Sequence, residues 1–238
     1  MKCEFEKVFT AIRLRIFRKG CLPMEDELLM NLADKTLTKD GLRQRVKQNF
    51  GLLPVLLQGV CSPKAAVRYG CAKVLMDLSE EYPEKLYPFM DAFIDLLDSK
   101  YRILTWNAMA VIANLAKVDE EQKFDAIFDK YYDFLSNEYM VTVANVVGNS
   151  GKIALAKPYL ISRITAELLK VEHVSVTPHL TEECKRVIAE HTIGTFDLFF
   201  DKSCEKEKKK VLDFVERQLD SSRRTLRVKA ADFVKKWR

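Results

Sequence analysis

Glycine and proline are scarce in this chain, 8 and 7 among 238 residues, about half their usual combined share. So few turn-formers cannot supply the many tight reversals of a β-sandwich or barrel, which leaves long helices as the economical way to use the chain. Long apolar runs are missing too. The two longest stretches without a charge, Gln48–Pro63 and Ile103–Ala116, hold 16 and 14 residues. Both fall short of the roughly 20 apolar residues that cross a bilayer, so no membrane span is expected. The start, Met1-Lys2-Cys3-Glu4-Phe5-Glu6, carries two acids and no apolar run behind them, unlike a secretory leader. Six cysteines (Cys3, Cys21, Cys61, Cys71, Cys184 and Cys204) form no CxxC pair and keep no regular spacing. A chain of this length can bury a core without disulfides, so reduced thiols and a cytoplasmic location are expected. No Gly-rich phosphate loop, HExxH or GxSxG occurs, so nothing marks an enzyme or implies a cofactor.

What is present is a core and a solvated surface. Hydrophobic residues make up 48% and charged residues 31%, a balance that excludes intrinsic disorder. The apolar pattern also repeats. Ser62, Ser99 and Ser136 stand at two equal steps of 37, each between two apolar helical stretches. In the first helices Leu53, Met90 and Ile127 align, then Leu57, Ile94 and Tyr131, then Val60, Leu97 and Phe134. Those positions fall at i, i+4 and i+7, one face of a helix. The second helices align Val67, Cys71, Val74, Leu75 and Leu78 with Leu104, Ala108, Val111, Ile112 and Leu115. A further copy follows Ser221, from Leu226 to Trp237. Between Ser136 and Ser221 there is room for one longer unit, at about 158–200. Residues 1–50 read as irregular helices near 3–18, 24–35 and 39–50. The serines are expected to cap the second helices by accepting orphan backbone N–H groups.

The run Val67-Arg68-x-x-Cys71-Ala72-x-Val74-Leu75-x-x-Leu78, with its echo from Leu226, resembles the second helix of a HEAT repeat. Because a step of 37 is short for that family, the chain is described as HEAT/armadillo-like. The resemblance covers roughly residues 50–238. It implies an all-α, α-α superhelix of about five to six helix pairs, in one solenoid domain over 1–238. It further implies that Arg68 and Arg227 tie their helices to a turn aspartate of a neighbouring repeat, for which Asp98 and Asp220 are candidates. Stacking explains such an architecture, since each helix pair has an apolar face that only its neighbours can cover.

Function is sought on the side of the second helices opposite the core, where a solenoid presents its concave surface. One row reads Tyr69, Trp106, Val143 and Val228, and a neighbouring row reads Ala65, Arg102, Tyr139 and Arg224. With Lys73, the aromatic and cationic members (Tyr69, Lys73, Arg102, Trp106, Tyr139 and Arg224) form the candidate binding face for a protein or peptide, since such side chains serve as anchors. Arg102 lies one turn before Trp106 and could stack on it. The opposing reading buries Tyr69 and Trp106 by sideways packing of helices.

The third second helix departs from its template, with Asn145, Gly148 and Asn149 in core slots. An early end near Val147, with Gly148 as C-cap, is expected. His173, His179 and His191 all fall in the long unit with Cys184. Their spacing matches no common zinc module, so they are read as loop and surface histidines, with no metal.

Charge is polarised. Acids crowd the middle, while Arg13, Arg15, Arg18 and Lys19, then Arg43, Arg45 and Lys47, then Lys206 and Lys208–Lys210, and finally Arg223 to Arg238 make the ends basic. These ends support an alternative, nucleic-acid binding, since lysine and arginine neutralise phosphates. The HEAT-like alkylpurine DNA glycosylases are the relevant likeness. Ala110 stands where such an enzyme wants a carboxylate one turn after Trp106, so glycosylase activity is not expected. The chain is expected to be monomeric.

Overall fold

A computed structural model describes residues 23–238, and these are helical apart from turns and one isolated β-bridge, Thr177 with Leu180. The first expected helix, near 3–18, lies outside the described residues, as does its basic cluster. Two compact units divide at residue 118.

The first unit contains α1 (Pro23–Ala33), α2 (Lys39–Gln48), α3 (Leu53–Val60), α4 (Ala65–Glu81), α5 (Met90–Leu96) and α6 (Arg102–Leu115). Thr38 caps α2 by accepting from the Gly41 N–H at 3.0 Å, and Pro54 sits in the first turn of α3, where its missing N–H costs nothing. α3 packs on α4, α5 on α6, and α4 on α6, so the expected helix pairs are present. Cys71, Leu75, Leu78, Ala108, Met109 and Ile112 are buried between them. Contact between α3 and α4 is close enough that a Cβ at Gly59 would lie 2.5 Å from the Cys71 sulfur. One polar clamp crosses this core. Asn114 Nδ2 donates to Ser79 Oγ at 2.9 Å, and that hydroxyl donates to the Met76 carbonyl at 2.7 Å.

The second unit contains α7 (Phe128–Asp133), α8 (Met140–Ala156), α9 (Ile161–Leu169), α10 (Glu182–Asp197), α11 (Glu205–Glu216) and α12 (Arg224–Trp237). α8 packs on α10, α10 on α12, and α9 on α11. Aromatic side chains fill this core, with Phe124, Phe128, Tyr131 and Tyr132 at one end and Phe196, Phe199 and Phe214 further on. The Tyr132 hydroxyl donates to Ser150 Oγ at 3.1 Å, and Ser150 donates back to the Val146 carbonyl.

α8 does not stop near Val147. It runs unbroken from Met140 to Ala156, and Gly148 lies in its interior rather than at its end. The departure from the template is a slip of register. α4 and α6 begin three residues after Ser62 and Ser99, but α8 begins three residues after Asn137. Counted from Asn137, the slot of Cys71 and Ala108 holds buried Val146, and Asn145 falls outside the core. Asn145 and Asn149 satisfy themselves by donating to the Val141 and Asn145 carbonyls, at 2.8 and 2.9 Å.

Candidate functional site

Four helices, α4, α6, α8 and α12, begin with the same small device, whereas Thr181 caps α10 directly by accepting the Cys184 N–H. Ser62 Oγ accepts from the Lys64 N–H, Ser99 Oγ from Tyr101, and Ser221 Oγ from Arg223, at 3.2 to 3.3 Å. At α8, Asn137 Oδ1 does the same for Tyr139 at 3.1 Å. The serines are therefore not the N-caps. They close a side-chain turn onto the residue that is the cap, and Lys64, Tyr101 and Arg223 occupy the cap positions.

Six residues after the serine, a second contact recurs. Arg68 donates to the Ser62 carbonyl at 2.8 Å and to the Pro63 carbonyl at 3.2 Å. Thr105 reaches the Ser99 carbonyl at 3.5 Å, and Arg227 the Ser221 carbonyl at 2.5 Å. The expected tie from Arg68 and Arg227 to a neighbour's aspartate is thus replaced by a tie to the turn of the same repeat. A side chain one turn into the helix points back toward its N-terminus, where those carbonyls lie.

Arg68 has a further role, because its guanidinium carbon lies 3.9 Å from the Tyr101 ring centre and 4.7 Å from that of Tyr69. The two rings meet edge-on with centres 6.4 Å apart. Tyr101 was not among the candidates drawn from sequence. The signal that could have found it is the aromatic residue at the cap of both α6 and α8, Tyr101 and Tyr139.

Tyr69 and Trp106 are neither fully buried nor fully exposed, whereas Lys73 and Arg102 are exposed beside them. Lys73 pairs with Asp77 at 2.6 Å on the same helix. The first unit thus brings four of the six candidates onto one side of α4 and α6.

The second unit treats its two differently. Arg224 is exposed in the first turn of α12. Tyr139 is half-buried and stacks on the His179 ring, centres 4.5 Å apart and planes 19° from parallel. The loop carrying His179 also accepts the Met140 N–H at 3.3 Å, while Thr177 Oγ1 donates to the Glu138 carbonyl at 2.7 Å. Val143, placed in the exposed row by the unslipped register, is completely buried, and Ala144 takes its slot.

Several of the basic residues are engaged within the chain. Arg43 and Lys47 both pair with Glu81. Arg223 bridges Glu183 and Glu190, Lys236 pairs with Asp197, and Arg238 with Glu216. Trp237, packed on Phe200, donates its indole N–H to Asp197 at 2.6 Å. Near it a cleft of about 540 Å³ is lined by Phe200, Glu205, Lys208 and Trp237, among others. Its rim charges are of both signs, and Lys208 is already paired with Glu205.

Among the described residues no three or more His, Cys, Asp or Glu side chains converge as a metal site would require. Among the same residues no helix is long and apolar enough to cross a membrane.

No protein-family model and no curated protein sequence matches the chain. Solved structures do. The chain is similar to the designed armadillo repeat protein YIII(Dq)4CqI, at 16% identity and a TM-score of 0.56, over 96% of this chain and 99% of that one. A second designed armadillo repeat protein, YIII(Dq.V1)4CPAF in complex with peptide (KR)4, gives 16% identity and a TM-score of 0.59, over 96% and 98%. A computationally designed armadillo repeat protein for modular peptide recognition gives 16% and 0.54, over 94% and 98%. The fold is that of an armadillo-like helical repeat, an all-α solenoid.

Proposed function

We propose that this chain is a non-catalytic repeat scaffold that binds a protein or peptide partner on the exposed side of its second helices. The observation that carries this reading is the side of α4 and α6. There Tyr69 and Trp106 remain partly exposed at equivalent positions, with Lys73 and Arg102 in solvent around them. A large aromatic ring fixed by its neighbours and left half-open is what an interface uses as an anchor. Tyr69 is fixed by Tyr101 and Arg68, so little entropy remains to be lost on binding. A structural neighbour holding a (KR)4 peptide adds that this repeat architecture can carry a peptide. Within the second unit, the candidates are Arg224, exposed on α12, and Tyr139, stacked on His179.

A peptide-display library panned against the purified chain tests the reading. Binders should lose about tenfold in affinity on Trp106→Ala, a hot-spot loss of roughly 1.4 kcal/mol. Glu84→Ala, exposed in the helical turn Pro83–Leu86 that follows α4, should leave them unchanged. The proposal fails if no binder emerges, or if binders ignore both Tyr69→Ala and Trp106→Ala.

A further inference from the structure

The exposed sides of α8, α10 and α12 lie next to one another in the second unit, because α8 packs on α10 and α10 on α12. Apolar side chains stand out on it. Val141 and Leu155 on α8 are 46% and 41% exposed, and Leu198 at the end of α10 and Val228 on α12 are each 52% exposed. Val141, Leu155 and Val228 are turned away from the buried side of their helices, and Leu198 reaches across to α8, its Cδ1 2.5 Å from where a Cβ on Gly151 would be. Single exposed hydrophobes are ordinary, but a shared side of adjacent helices is not a random scatter.

The charges on this side are unbalanced. The carboxylates next to it already have partners, Glu190 with Arg223 and Thr225, and Asp197 with Lys236 and the Trp237 indole. Arg224, Lys229 and Lys235, all exposed on α12, form no ion pair among the described residues, and the one exposed acid among them is Asp232. Lys229 extends back over α10, its Nζ 3.3 Å from where a Cβ on Gly194 would be.

The space above α8 is open. Val141 and Leu155 stand two turns before and two turns after Gly148, about 21 Å apart along the helix axis. A Cβ at Gly148 would meet nothing within 4 Å, so no contact inside the chain requires glycine there. A partner's backbone can come down onto α8 between the two apolar side chains.

Resting on the peptide-binding reading above, we infer that the second unit docks an acidic peptide segment with interspersed apolar residues. Its carboxylates face Arg224, Lys229 and Lys235, and its apolar side chains cover Val141, Leu155 and Leu198. Charge complementarity selects this occupant, because a cationic peptide would meet like charge on α12. A nucleic acid fits less well. Its phosphates have nothing to cover the apolar side chains.

The test is fluorescence anisotropy on the full chain at about 0.15 M salt. The probes are a labelled peptide alternating Glu with Leu, its Lys/Leu counterpart, and a labelled thymidine oligonucleotide. The Glu/Leu peptide should bind at least about tenfold tighter than the Lys/Leu peptide. Two variants should each weaken it about tenfold, Gly148→Leu by filling the open space and Arg224→Glu with Lys235→Glu by reversing charge. Gly148→Leu should do so with no loss of Tm, because it strikes nothing in the folded chain.

Equal binding of the two peptides overturns the inference, as does insensitivity to both variants. Tighter binding of the oligonucleotide, lost on charge reversal but not on Gly148→Leu, assigns the face to nucleic acid instead. If library binders depend on Trp106 while the Glu/Leu preference is absent, this inference alone falls. If nothing binds, both proposals fall.

Discussion

Arg68 is buried, yet its guanidinium is shared between two carbonyls of its own turn and two tyrosine rings. The type of residue at that slot was legible in sequence, but its partner was not. An arginine one turn into a helix can reach back along its own helix or across to a neighbour, and only the packed geometry decides. Cysteine behaviour is a second matter of this scale. Burial pushes the thiols of Cys61 and Cys71 up to about 12, so neither supplies a thiolate at neutral pH, whereas Cys204 is exposed. Among the four cysteines described, Cys204 should be alkylated first by iodoacetamide and Cys71 last, as read by mass spectrometry over time. Asp197 sets a pH dependence. Burial works against its ionisation, but hydrogen bonds from Lys236 and Trp237 outweigh this and hold its carboxyl below the usual range. A carboxyl lowered in the folded state contributes its stability above the unfolded value, near 4, and loses it as pH falls through the folded value. Asp197→Asn should therefore cost about 1 kcal/mol at pH 7, a modest figure because the site is partly exposed and screened. The gap from wild type in urea melts should narrow below about pH 4.

Helices and their pairing were largely readable as elements, because the apolar period of a helix and the step between repeats are both written in residue types. The third repeat was misread for a definable reason. Ser136 keeps the 37-residue step, but it closes a 3-10 turn, and Asn137 takes over the capping turn. A slip of one residue rotates a helix by about 100°, enough to move Asn145 into an apparent core slot and Val143 out of it. Glycines on these helices make a quantitative test of which positions are packed. Gly148 is in a helix interior with open space above it, so Gly148→Ala should stabilise by about 1 kcal/mol through helix propensity. Gly59 faces the Cys71 sulfur, which an added Cβ would approach to 2.5 Å. Gly59→Ala should destabilise by about 1–3 kcal/mol through overpacking. Opposite shifts of Tm for the two substitutions are the expected result. Shifts of the same sign would show that packing around one of them is different from that described.

For the whole molecule, stability in a repeat architecture is close to a sum of local units and their nearest-neighbour contacts. The division at residue 118 could not be read from sequence, because the helical period runs through it without a change in composition. What the sequence also concealed is the polar group that opens the second unit. Lys157 is 4% exposed at its side chain and lies 3.1 Å from the Asp119 carboxylate, itself fully buried, and 2.9 Å from Asp125. Asp119 in addition accepts the N–H groups of Lys123 and Phe124, both at 2.9 Å. Burial alone would lower the Lys157 pKa, but its bonds to Asp125, Tyr159 and Asp119 outweigh this and raise it, so it stays charged. Lysine at 157 and aspartates at 119 and 125 are too far apart in sequence for any local pattern to link them. Removing one partner of such a group is costly because it leaves the other buried and underpaired. Asp119→Ala should therefore lose about 3 kcal/mol. Replacing both partners with apolar residues, Asp119→Leu with Lys157→Met, should lose less than Asp119→Ala alone. If stability is local, the lesion will be too. In hydrogen exchange, protection in Asp119→Ala should fall mainly over residues 119–169, while α4 and α6 keep theirs. A uniform loss across both units would show instead that the chain opens as one cooperative body, and the additive account would not hold for it.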